Sequence, residues 1–208
     1  IIKSLNHLKF YASITDGVED DFKIFSREKN KIENSLIDLD GSLEFQNIEF
    51  SYPGAQNKIL KNINFKICKN ELIGIYGNSG AGKSTLLNII LGLIKPSSGK
   101  IILNNKPVNL NNFNWYQKIG LVSQKVFLNN DKIINNIAFG IPEDQVDQKK
   151  INEVIKQSEL SNFLENNGTS VHDIVGEEAS KISGGQAQRI AISRALYKNS
   201  EVIIMDEP

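Results

Sequence analysis

Gly77-Asn78-Ser79-Gly80-Ala81-Gly82-Lys83-Ser84 is the stretch whose reading decides the fold of this chain. It fits G-x-x-x-x-G-K-[ST], a loop whose backbone N–H groups cradle nucleotide phosphates. Its flanks agree with that reading. Leu72-Ile73-Gly74-Ile75-Tyr76 before it reads as a short buried strand. Thr85 to Leu91 after it reads as a helix, with Leu86, Leu87, Ile90 and Leu91 at helical spacing. Glycines following a strand and a helix opening at Lys83-Ser84 aim N–H groups and the positive end of a helix dipole at one point. An anion of high charge density fits there. Lys83 is placed to reach the outer phosphates, and Ser84 to offer its hydroxyl to Mg²⁺.

Around this loop, the 208 residues suffice for one sizeable core and a small appendage. The 24 basic and 24 acidic side chains balance. No strongly basic surface follows, and no nucleic-acid partner is expected. A single cysteine, Cys68, excludes an intrachain disulfide and a cysteine metal cluster. No apolar run approaches the ~20 residues of a membrane-spanning helix. A signal peptide is not evident, and a cytosolic environment is expected. The first residue is Ile, and the last six, Ile203 to Pro208, stop just after an apolar strand. The chain is therefore expected to be a fragment of a longer protein.

Upstream, Leu5, Leu8, Ala12, Val18, Phe22 and Phe25 form a helical stripe among polar residues. Arg27 to Asp40 is charged and weakly patterned, like a linker. Leu43 to Phe50 alternates as a strand, Tyr52-Pro53-Gly54 turns the chain, and Ile63, Phe65 and Ile67 alternate in a second strand. Downstream of the loop, Pro96 to Gly99 reads as a turn and Lys100 to Leu103 as a strand. Ile119 to Ser123 reads as a buried strand ending at Gln124. Asn135 to Leu164 is mainly helical, with Ile151, Val154, Ile155 and Leu160 on one face. Gln186 to Tyr197 is a further helix, and Glu201 to Met205 the last strand. Early strands followed by strands alternating with helices predict an α/β domain with a helical insertion.

Two more stretches carry chemistry. Val202 to Met205 is an apolar strand that ends in Asp206 and Glu207. In a phosphate-loop protein, an Asp at such a strand end holds Mg²⁺. Glu207 is then placed to orient or polarise a water attacking the γ-phosphate. Ile182-Ser183-Gly184-Gly185-Gln186 opens a helix with a Ser N-cap and two glycines. The same geometry makes an anion site, because glycines allow a phosphate close to the backbone. One nucleotide has no use for two γ-phosphate sites on one domain. Two domains facing each other do, each offering this loop to its partner's nucleotide.

These three stretches, in this order, resemble the ATP-binding-cassette (ABC) ATPases, and the resemblance runs from about Leu43 to Pro208. Ile182 stands where the family usually has Leu. The resemblance implies a P-loop NTPase core with an antiparallel β subdomain and a helical insertion, preceded here by an N-terminal helix. It implies ATP and Mg²⁺ as cofactors. By it, Tyr52 stacks on adenine, and Gly77 through Ser84, with Thr85, hold the phosphates. Ser183, Gly184, Gly185 and Gln186 face the partner's nucleotide. The metal is implied at Ser84, Gln124 and Asp206, and the catalytic roles at Glu207, Gln124 and Lys83. Arg189, on the helix after Ser183, is left without a role.

Asn136-Ile137-Ala138-Phe139-Gly140 and Val175-Gly176-Glu177-Glu178 look like exporter segments of that family. The implied organisation is residues 1–40 as the end of a membrane-domain helix plus linker, and 41–208 as an incomplete nucleotide-binding domain. The implied function is the ATP-hydrolysing motor of an exporter or flippase, most like bacterial half-transporters for lipids, lipid-linked oligosaccharides or peptides. Its partners would be a second ATPase domain, as homodimer or heterodimer, and a fused membrane-spanning domain at the cytoplasmic face of the inner or plasma membrane. Pro208 stands where many exporters carry Ala. The aspartate loop and switch histidine of the family are missing, since His7 and His172 lie upstream, so this fragment is expected to hydrolyse ATP poorly. The alternative is a soluble, ribosome- or DNA-associated ATPase of the same superfamily. The interval from Lys83 to Ser183 lacks the heptads of a DNA-repair coiled coil. A plain kinase or GTPase is disfavoured by the stretch at Ser183 and by the lack of an Asn-Lys-x-Asp motif.

Overall fold

The computed structural model describes residues 39, 41–55, 57–112, 115–166, 168–176 and 182–206. The predicted N-terminal helix lies outside the described residues. So do Glu177, Glu178, Glu207 and Pro208.

Strands β1 (Ser42–Phe50), β2 (Leu60–Cys68), β3 (Ser98–Leu103) and β4 (Lys106–Val108) form an antiparallel sheet in the order β2-β1-β3-β4. This is the β subdomain that the resemblance implies. Alternation builds its buried face: Leu43 and Phe45 point inward, and Phe45 stacks on Phe65 of β2 with ring centroids 4.4 Å apart. The inward set then slips by one residue to Ile48 and Phe50, and the register with β2 shifts between Phe45 and Ile48. Asn47 takes up the extra residue at φ 52°. This is a β-bulge, which keeps both halves of one strand facing the same core. Gly99, at φ 101°, lies against it: a Cβ there would sit 2.5 Å from the Asn47 carbonyl oxygen.

Helix α1 (Lys83–Ile90) buries Thr85, Leu86, Ile89 and Ile90, and its apolar side chains join Leu43, Phe45 and Ile101 in one core. Trp115, which opens the short helix α2 (Trp115–Lys118), donates its indole N–H to the Ile90 carbonyl at 2.6 Å in the interior.

A second core belongs to the helical insertion. Helices α3 (Ile133–Ile137), α4 (Gln148–Gln157) and α5 (Ser161–Asn166) pack with α6 (Gly184–Tyr197) through Ile134, Ile137, Ile151, Leu160, Val175 and Ile190. Asp147 caps α4 by accepting from the Lys149 and Lys150 N–H groups at 2.9 and 3.2 Å. The expected helical stretch Asn135–Leu164 is therefore three short helices and a 3-10 turn at Glu143–Gln145. Strands β5 (Ile119–Val122) and β6 (Val202–Met205) pair in parallel, and α6 lies on β5.

One expectation fails. Leu72–Tyr76 is not a strand and is not buried. Leu72 and Tyr76 are 99 % and 96 % exposed. The segment runs extended without a ladder partner, separated from β6 by a cavity of about 1040 Å³ whose lining includes Ile73 and Ile75. Apolar composition favours burial, but a strand exists only where its N–H and C=O groups pair with a neighbour, and no described strand pairs with this segment. A smaller difference is at Pro96–Gly99, where Ser98 and Gly99 already belong to β3.

Candidate functional site

The phosphate loop ends as read. Gly82 is the N-cap of α1 at φ 92°, a left-handed conformation that suits glycine. A Cβ on Gly82 would meet Ile59 Cγ2 at 2.9 Å and Leu60 Cδ2 at 3.0 Å, so β2 also presses the loop. No side chain caps α1, and no acidic residue lies in its first turn. Its N-terminal amides and dipole are thereby open to an anion. Lys83 folds back over the loop and donates to the Gly77 carbonyl at 2.8 Å and the Asn78 carbonyl at 3.1 Å. Ser84 is exposed beside it and Thr85 is buried.

Tyr52 follows β1. Its carbonyl closes a turn by accepting from Ala55 N–H at 3.0 Å, and its ring meets Phe50 edge-on with centroids 4.9 Å apart. Phe50 pairs with Leu60, the residue that presses Gly82. Tyr52 and the loop therefore share one end of the antiparallel sheet. Tyr52 remains 44 % exposed.

Parallel pairing carries Gln124 and Asp206 off the same end of β5 and β6. Asp206 N–H donates to the Val122 carbonyl at 2.9 Å, so Asp206 and Gln124 leave the same edge of the β5–β6 pair. Asp206 and Lys83 line the same cavity. The hydroxyl, amide and carboxylate oxygens of Ser84, Gln124 and Asp206 are hard donors that suit Mg²⁺.

At the start of α6, Ser183 and Gln186 form a capping box. Ser183 Oγ accepts from Gln186 N–H at 3.4 Å, and Gln186 Oε1 accepts from Ser183 N–H at 2.7 Å. A Cβ on Gly184 or Gly185 would meet nothing within 4 Å, and neither has a positive φ. Among the described residues, no packing calls for these glycines.

Two arginines of α6 acquire partners that the sequence did not disclose. Arg189 donates to the Ser158 and Glu159 carbonyls at 3.3 and 2.7 Å, closing the C-terminal end of α4. Arg194 donates to the Asn136 carbonyl at 2.7 Å, the Phe127 carbonyl at 3.2 Å and Asn136 Oδ1 at 3.4 Å, and lies over the Phe139 ring. Burial draws its pKa down, while the oxygens satisfy its donors. The available signal was positional: Arg194 stands four residues after Ile190 and three before Tyr197, both buried, where a charge is out of place.

Residues 60–208 match the family model described as ABC transporter. The chain is 37 % identical over 196 residues to an ATP-dependent lipid A-core flippase of Coxiella burnetii, covering 92 % of this chain and 33 % of the flippase. It is 38 % identical over 181 residues to an alpha-hemolysin translocation ATP-binding protein of Escherichia coli O157:H7, covering 86 % and 25 %. A solved bacterial Atm1-family ABC exporter with ATP bound superposes with a TM-score of 0.73 at 28 % identity, over 95 % of this chain and 35 % of the exporter. The chain thus spans about a third of the length of the flippase it matches.

Proposed function

This chain belongs to the ABC transporter family, and from that premise we propose that it is the ATP-hydrolysing motor of a membrane exporter or flippase. Two such domains close head to tail around two ATP molecules. Each supplies its phosphate loop to one nucleotide and its Ser183–Gln186 turn to the other. The observation that carries this reading is the bare start of α6, with glycines that no contact among the described residues explains.

Within one site, Tyr52 holds the adenine. The amides of Gly77–Ser84, with Thr85, hold the phosphates, and Lys83 exchanges its loop carbonyls for phosphate oxygens. Ser84, Gln124 and Asp206 hold Mg²⁺, which neutralises charge on the phosphate oxygens when bound. Glu207, adjacent to Asp206, takes the proton of the attacking water. Residues 1–40 read as the end of a membrane-domain helix and its linker. Among the described residues, no helix is long and apolar enough to cross a membrane. We take the cargo to be a lipid, a lipid-linked oligosaccharide or a peptide, a class that the names of the flippase and the translocation protein support, with the motor on the cytoplasmic face of the inner or plasma membrane.

Glu207→Gln in the full gene product tests this. The amide keeps size and hydrogen bonding but accepts no proton. ATP should then drive a stable dimer holding two nucleotides, seen by size exclusion with radiolabelled ATP, and turnover should stop. Wild-type turnover by Glu207→Gln, or a monomer with one ATP, would refute the proposal.

A further inference from the structure

Gln124 sits on a short crossing between two bodies. On one side, β5 ends at Val122, whose carbonyl accepts from Asp206 N–H just past β6. On the other, three residues past Gln124, the Phe127 carbonyl is bound to Arg194 of α6 at 3.2 Å. The Phe127 side chain does not hold the crossing, because it is 73 % exposed. The grip is on the backbone.

That grip is braced. Arg194 Nε donates to the Asn136 carbonyl at 2.7 Å and Nη2 to Asn136 Oδ1 at 3.4 Å. Asn136 is itself 1 % exposed. Its Oδ1 accepts from Asn129 N–H at 2.9 Å, and its Nδ2 donates to the Asn129 carbonyl at 3.0 Å and the Lys132 carbonyl at 3.2 Å. One guanidinium therefore ties α6, the end of α3 and the chain just after Gln124 into a single unit. A planar fork with five N–H donors can hold several oxygens at fixed angles, and an ammonium cannot.

We infer that Arg194 is a positioning residue for Gln124: it fixes the far end of the Gln124 crossing to α6, the helix whose other end is Ser183–Gln186. The inference rests on the ATPase reading above. It differs from a purely structural role, in which Arg194 only closes the carbonyl end of α3. A structural role costs stability alone. A positioning role is felt at the metal and in the turnover rate, and only while Gln124 is present.

The test is a double-mutant cycle on the full gene product, with Arg194→Lys, Gln124→Ala and the pair, following ATP turnover against both ATP and Mg²⁺. Arg194→Lys should lower kcat and raise the half-saturating Mg²⁺ by on the order of tenfold, the usual effect of disturbing an outer-shell partner, with KM for ATP unchanged. The double variant should be no slower than Gln124→Ala alone, because nothing remains to position. If Gln124→Ala is slow and the two losses multiply, the inference is overturned while the ATPase reading stands. If Gln124→Ala turns over as fast as wild type, the site assignment fails and the inference with it. Should Arg194→Lys not fold, Arg194→Gln takes its place, and Mg²⁺ affinity of the ATP-bound protein is read by calorimetry. The loss should appear only while Gln124 is present. An equal loss in the Gln124→Ala background would overturn the inference.

Discussion

Replacing Lys83 by Ala removes two hydrogen bonds in the free protein, to the Gly77 and Asn78 carbonyls at 2.8 and 3.1 Å. Both are in exposed surroundings. A pair of this kind, screened by water, contributes about 1 kcal/mol at most. In the proposed nucleotide complex the same ammonium would face phosphate oxygens, and each charge-assisted bond would be worth about 1.5–3 kcal/mol. Binding ATP exchanges the first set for the second, so only the difference appears in affinity. Two phosphate contacts less the two carbonyl contacts leave about 2 kcal/mol or more. The dissociation constant for Mg-ATP should therefore rise at least tenfold, each tenfold being about 1.4 kcal/mol. Stability should fall far less, with Tm lower by about 2–4 °C. Calorimetric titration with Mg-ATP, paired with a thermal melt, measures both. Unchanged affinity would refute the phosphate-loop assignment. A loss that merely tracks the unfolded fraction would refute the exchange argument.

Tyr52→Ala should weaken ATP binding by about 1–3 kcal/mol while Tyr52→Trp retains it; equal affinity of all three forms in the same titration would return Tyr52 to a plain strand-end residue. Gly99→Ala should destabilise the fold by about 3 kcal/mol or more in urea melts, because its Cβ would strike the Asn47 and Gln46 carbonyl oxygens at 2.5 and 2.7 Å and the obstructing atoms are backbone. The Lys66 ammonium holds the Glu44 carboxyl below its ordinary pKa, and Lys58 with Ser98 does the same for Glu49. The unfolded chain then takes up these protons at higher pH than the folded one. The stabilisation is full above the ordinary carboxylate range and is lost as pH falls through the lowered values, so urea midpoints should drop between about pH 5 and pH 3. The Glu44→Gln, Glu49→Gln pair should flatten that slope, and an unaltered slope would count against it.

Local rules carried the reading of the sheet. Leu43 and Phe45, and Ile63, Phe65 and Ile67, alternate with polar neighbours, and both runs are strands. The bulge was visible only as a slip in that alternation, from Phe45 to Ile48. The opening of α1 after Gly82 and the Ser183 cap were legible because their chemistry is written within a few consecutive residues. Leu72–Tyr76 was misread because apolar character says that a segment seeks cover, whereas pairing depends on a neighbour far away in sequence. Arg189 and Arg194 escaped for a related reason. Their acceptors are backbone carbonyls 30 to 67 residues away, and a carbonyl has no letter in the sequence.

The close approach of α6 to β5 constrains how the helix moves. A Cβ on Gly120 would lie 2.8 Å from Ala195 Cβ and 2.8 Å from Ser200 Oγ, so the helix rests almost directly on the strand near its C-terminal end. That contact is a fulcrum. Ser183 lies twelve residues away along the helix, an arm of about 18 Å at 1.5 Å per residue. Tilting α6 by about 3° about Ala195 displaces Ser183 by about 1 Å, enough on this scale to make or break a hydrogen bond. Side chains larger than hydrogen at position 120 would lift the helix off the strand and so displace Ser183, although the residue is nowhere near it.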